Sequence, residues 1–138
     1  SARWAMRQGR SPEPFFEAAA SAAQRGLDVN PQNAAAYQTA AKAHRWRAEW
    51  LRSMRRDPNP DITAGLRLIR TALQLNPALA NSLMTEAALL ILQAEATDTP
   101  TERQILVRTA TRSLDRAIEI KPVHEREARQ LRERAELI

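Results

Sequence analysis

Histidine is the side chain best suited to moving protons or holding a transition metal near neutral pH, and this chain has two, His44 and His124. One helical turn either side of His44 stand Ala40 and Ala48, so nothing at that spacing completes a metal or acid–base set. His124 stands among charged residues that read as a solvated helix, and both histidines read as structural. No Ser or Lys lies in a nucleophile motif. The absence of Cys excludes thiolate chemistry and disulfides and leaves the redox compartment open. No catalytic residue, cofactor or metal site is assigned, and the chain reads as non-enzymatic.

The sharpest polar feature is the segment holding Arg45, Trp46, Arg47, Trp50, Arg52, Arg55 and Arg56. Guanidinium groups interleaved with aromatics clamp phosphates and stack bases, so binding of single-stranded nucleic acid through residues 45–56 is one reading. The other is structural: Arg45, Arg52 and Arg56 share a helical face with Glu49 between them, as in a charge ladder. The second is preferred. The net charge of +5 lies entirely in residues 1–60, and only Lys42 and Lys121 among the 21 basic residues are lysine. A GC-rich genome produces such an arginine bias without any phosphate to recognise.

The elements that must position these residues announce themselves by repetition. Ala72-Leu73-Gln74-Leu75-Asn76-Pro77 has counterparts in Gly26-Leu27-Asp28-Val29-Asn30-Pro31 and Ala117-Ile118-Glu119-Ile120-Lys121-Pro122. Each reads small, aliphatic, polar, aliphatic, polar, Pro, at a period of 45–46 residues, the mark of a solenoid. Ile62, Leu66, Ile69 and Leu73 form one apolar helical stripe ahead of Pro77. Pro77 ends that helix and suits the first turn of the next, with Asn76 placed to cap it. Asn30-Pro31 repeats the device. Lys121-Pro122 lacks the cap, so a looser junction is expected there.

A second punctuation alternates with the first: Gly9-Arg10-Ser11-Pro12, Arg55-Arg56-Asp57-Pro58 and Thr97-Asp98-Thr99-Pro100. Ser11 and Thr99 are placed as caps ahead of a Pro, and Thr99 with Glu102 has capping-box spacing. Eight residues before each Pro stand Trp4, Trp50 and Leu92, read as core. The resulting map places a helix-A remnant at about 1–9, helix B at 13–29, A at 32–54, B at 61–75, A at 78–95, B at 101–120 and A at 123–137. Asp57 to Asp61, with two prolines, reads as loop. Residues 1–138 form one domain of about seven helices, all-α, in line with 3 Gly and abundant Ala. The pattern opens and closes inside a repeat, as a fragment of a longer array would. No apolar run spans a bilayer, and Ser1 to Arg10 lacks a signal-peptide core. A cytoplasmic location is expected.

The repeat resembles the tetratricopeptide repeat, in which a small residue stands 12 before the Pro (Ala19, Gly65, Ala110), a large one 8 before (Ile69, Leu114) and a small one 5 before (Gly26, Ala72, Ala117). The large aromatic place of the following helix falls on Tyr37 and Leu83, but on Ala128 in the last copy. The elongated period and the loops at Gly9–Pro12 and Arg55–Pro58 look like repeats found C-terminal to some bacterial serine/threonine protein kinases, though no kinase motif is present. The resemblance implies a TPR-like α-solenoid of antiparallel helix pairs turning at Pro31, Pro77 and Pro122. It also implies a non-catalytic scaffold of a larger protein, with a protein or peptide partner in a concave groove lined by the A helices. Carried over by offset from the Pro, the groove falls on Ala35, Gln38, Lys42, Arg45 and Trp46, then Asn81, Met84, Ala88, Ile91 and Leu92, then Arg126, Arg129, Glu133 and Glu136. Gln38, Lys42, Arg45, Trp46, Asn81 and Met84 are the expected partner-binding residues. The family's carboxylate-clamp pattern is not matched by Gln38 with Lys42, nor by Arg129 with Glu133. Leu89 to Leu92 make helix 78–95 apolar almost all round, so it should be buried on several sides.

Overall fold

The computed structural model describes residues 2–7 and 9–138, and all regular structure among them is helical. The α-helices are α1 (Ala2–Arg7), α2 (Glu13–Val29), α3 (Ala34–Ser53), α4 (Asn59–Leu75), α5 (Ala80–Glu95), α6 (Pro100–Ile120) and α7 (Glu125–Glu136), with a 3-10 turn at Pro122–His124 before the last. The closest pairs are α3 along α4 and α5 along α6, joined by α4 against α5 and preceded by α2 against α3. Odd-numbered helices also touch the next odd one, α1 with α3, α3 with α5 and α5 with α7, whereas no even-numbered pair does. The odd helices therefore share one side of the molecule.

Small residues make this approach possible. Ala72, Ala110 and Ala117 are fully buried, and a Cβ added to Gly65 would sit 3.0 Å from both methyls of Leu89 and 3.3 Å from His44 Cβ. Gly65 is thus where α4 meets α3 and α5 at once. The stripe of Ile62, Leu66 and Ile69 is buried, with Leu73 at its half-buried end. Each such side chain removed from water contributes on the order of 1.5–3 kcal/mol. At the centre lies α5, buried on every side from Ser82 to Thr85 and from Ala87 to Leu92. Of the three large residues eight before a Pro, Leu92 is fully buried and Trp50 half-buried, while the Trp4 side chain lies outside the described residues, as do Ser1 and Gln8 of the expected first helix.

The junctions keep the repeat and revise its chemistry. Asn30, Asn76 and Lys121 end their helices in the same extended backbone, with φ −146°, −145° and −139°, each N–H donating to the carbonyl of the small residue four before it. Asn30 and Asn76 do not cap the following helix as expected. Their side chains accept the N–H of Gln32 and Ala78 at 3.0 and 3.2 Å, closing a turn around the Pro. The caps fall three residues later, at Asn33, whose side chain accepts from the Ala36 N–H, and at Leu79. Lys121 keeps the helix-ending geometry, so the backbone there shows no loosening; lacking a side-chain acceptor, it leads straight into the 3-10 turn.

The other loops show a similar substitution of means. Gly9 (φ 70°) and Arg55 (φ 56°) sit in left-handed backbone, and the pairs Gly9 N–H to Met6 and Arg10 N–H to Ala5, then Arg55 to Arg52 and Arg56 to Leu51, form Schellman motifs. The third loop has no left-handed residue; Arg103 instead donates to the carbonyls of Thr97 and Asp98. Thr99 precedes Pro100 at the helix start as expected but makes no side-chain cap. Asn59, Pro60 and Asp61, expected in a loop, are the first turn of α4. Pro is tolerated there because no intrahelical N–H is needed, and the Asp57 carboxylate accepts the Asn59 N–H at 3.0 Å.

Candidate interaction surface

Glu49 of α3 and Glu95 of α5 stand one repeat period apart, and α7 supplies one cation to both. The Arg134 guanidinium donates to Glu49 at 2.7 and 2.9 Å and to Glu95 at 2.6 and 3.0 Å. Arg52 reaches Glu95 at 2.9 Å, and Arg45 lies 3.9 Å from Glu49 and 3.6 Å from Glu127. Burial alone would lower the Arg134 pKa, but the hydrogen bonds and charges of Glu49 and Glu95 outweigh it and raise it. Arg45 goes the other way: its burial dominates and lowers its pKa despite Glu49 and Glu127. The expected ladder along α3 is therefore replaced by a clasp between helices, since only the Arg45–Glu49 pair stays within α3. The Glu/Arg-rich end is likewise more than a solvated face, with Ala128, Leu131 and Ala135 buried.

This clasp explains the fate of the expected groove. Where α3 and α7 are bridged by Arg134 and by Arg45 with Glu127, the α5 groove places Met84, Ala88, Ile91 and Leu92 are closed off; Met84 is 4% exposed and the other three at most 1%. Met84 is thus corrected from a free groove residue to a core residue. Of the other expected partner-binding residues, Asn81 and Lys42 are exposed, Gln38 and Trp46 are half-buried, and Arg45 is buried.

Two clefts meet at Trp46. One of about 480 Å³ lies between α1, α3 and α7, with Arg3, Trp46, Val123, Arg126 and Leu131 in its lining beside Arg45 and Arg134. The other, of about 350 Å³, lies between α1, α2 and α3 and is walled by Phe15, Phe16, Ala19, Ala43 and Trp46, with Arg3 and Lys42 beside them. Trp46 belongs to both, and its ring carries the guanidiniums of Arg45 and Arg3 at 3.9 and 4.8 Å. The structure therefore brings Lys42, Arg45 and Trp46 around two adjoining openings, and leaves Gln38, Asn81 and Met84 outside both. Sequence reasoning missed Arg3 and Arg134. The recurrence of Glu at 49 and 95, one period apart on the shared face, was the signal for the second.

On the other side of α3, His44 Nδ1 lies 2.8 Å from the buried Asp61 of α4. Arg47 pairs with Glu13 of α2 at 3.1 Å and approaches Asp61 at 3.8 Å. These pairs tie three helices together through a carboxylate that would otherwise be buried alone. No group of three or more His, Asp or Glu among the described residues is placed to hold a metal ion, and no described helix is long and apolar enough to cross a membrane. No family model matches the chain, and neither a curated protein nor a solved structure resembles it detectably.

Proposed function

We propose that this chain is a TPR-like α-solenoid segment that serves as a non-catalytic protein-interaction scaffold. The observation carrying the reading is the contact order: each odd helix meets the next odd helix while the even helices stay apart. Stacked helix pairs that curve toward their first helices have that pattern, and solenoids present such a face to partners. The recurring helix ends at Asn30, Asn76 and Lys121 support the same reading. Placement of the segment in a larger signalling protein, such as a bacterial serine/threonine protein kinase, rests on the resemblance of the repeats alone.

The alternative, single-stranded nucleic acid on residues 45–56, is weakened by intramolecular pairing. Arg45, Arg47 and Arg52 each face a carboxylate of another helix, leaving few cations to track successive phosphates. A peptide-display selection against the folded domain, repeated on Trp46→Ala, separates the readings. The scaffold reading expects enriched peptides whose binding Trp46→Ala abolishes at unchanged helicity. It is overturned if no peptide is enriched while oligonucleotides bind tighter than about micromolar at physiological salt, beyond the usual non-specific range.

A further inference from the structure

We propose that the cleft between α1, α3 and α7 takes a short peptide segment rich in acidic and aliphatic residues, its carboxylates on Arg3 and Arg126 and its aliphatic side chains on Val123 and Trp46. The inference rests on the scaffold reading and names the partner's chemistry. Charge accounting carries it. Arg45, Arg52 and Arg134 are matched by Glu49, Glu95 and Glu127 through the contacts already given. Arg3 and Arg126 line the same cleft, and neither has a carboxylate partner among the described residues. Arg3 is held over the Trp46 ring instead. The opening thus has a surplus of positive charge that no part of the described chain neutralises, and opposite charge on a partner answers it.

Two further features fit the same ligand. Val123 is 80% exposed at the cleft and Trp46 half-buried in its wall, so aliphatic side chains have apolar surface to cover. The buried Arg45 Nε has no hydrogen-bond partner among the described residues, and repulsion from Arg3 and Arg134 adds to the burial that disfavours its charge; an anion entering the cleft would offset that repulsion. A nucleic acid fits less well. Arg47 and Arg52, which would extend a track of successive phosphates beyond the cleft, are already engaged.

The test is fluorescence anisotropy at physiological salt with three labelled probes: a short peptide rich in Glu and Leu, its counterpart with Lys in place of Glu, and an oligothymidylate. The Glu/Leu peptide should bind, the Lys/Leu peptide should not, and Arg126→Glu should weaken the first by about tenfold or more while admitting the second. Arg126 is exposed, so this variant should keep its helicity and melting temperature. The proposal is overturned if the Glu/Leu peptide fails to bind, if Arg126→Glu leaves its affinity unchanged, or if the oligothymidylate binds more tightly than it does. Those failures leave the scaffold reading standing as long as display selection enriches peptides of some other composition.

Discussion

Gln38, Lys42, Arg45 and Trp46 of α3 and Met84, Ala88, Ile91 and Leu92 of α5 occupy the same four places one repeat apart, and the two sets lead opposite lives. Those of α5 are all buried, whereas three of the four on α3 keep contact with solvent. The difference lies in the neighbours. An odd helix packs on each side of α5, α3 on one and α7 on the other, while the only other odd helix that α3 meets among the described residues is the six-residue α1. A repeat position fixes the direction a side chain faces; the helices beside it decide whether that direction is open. Recognition residues therefore belong on the flanking odd helices, and the central one supplies the core.

That comparison breaks most readily at α5. Leu92→Ala removes a fully buried side chain and should cost about 2–5 kcal/mol in chemical denaturation. Its counterpart Trp46→Ala, half-buried at a cleft, should cost clearly less despite the larger truncation. An equal or greater loss at Trp46 would mean that α3 is core in the same sense as α5.

The clasp comes next in size. Arg134→Leu strands Glu49 and Glu95, whose side chains are 15% and 11% exposed. Lost pairing in a partly screened site should cost about 1–3 kcal/mol, less than a fully buried pair because Arg52 and Arg45 remain. The same variant should increase hydrogen exchange in α7 more than in α4, since it releases α7 from the α3–α5 face. Uniform exchange would show that α7 is held by its apolar contacts alone.

A smaller effect of opposite sign is expected at the loops. Arg55 adopts a left-handed backbone that Gly9 adopts at the matching place. Arg55→Gly should stabilise the domain by about 0.5–1 kcal/mol, the left-handed strain relieved less the entropy glycine loses on folding. Destabilisation would point to a contact of the Arg55 side chain outweighing its backbone.

Most of the architecture was legible because it is punctuated locally. A Pro that ends one helix and a small residue that admits the next are short-range signals, and helix boundaries came within about two residues of those observed, the usual fraying of such estimates. The Asp57–Asp61 stretch misled because two prolines resemble a loop, although a first helical turn accepts Pro. Met84 misled for a different reason: whether a repeat place opens to solvent depends on the helices packed beside it, here α3 and α7 on α5, which no local pattern encodes. The same long-range geometry hid Arg134, whose partners lie 39 and 85 residues away.

The most direct test maps binding onto the molecule. In a nuclear magnetic resonance titration with the Glu/Leu peptide, the Trp46 indole N–H and the resonances of Arg3, Val123 and Arg126 should shift, while the Met84 and Ile91 methyls stay in place. Shifts confined to the α4 and α6 faces, or at the α5 methyls with Trp46 unmoved, would contradict the division between a closed central helix and an open flanking one.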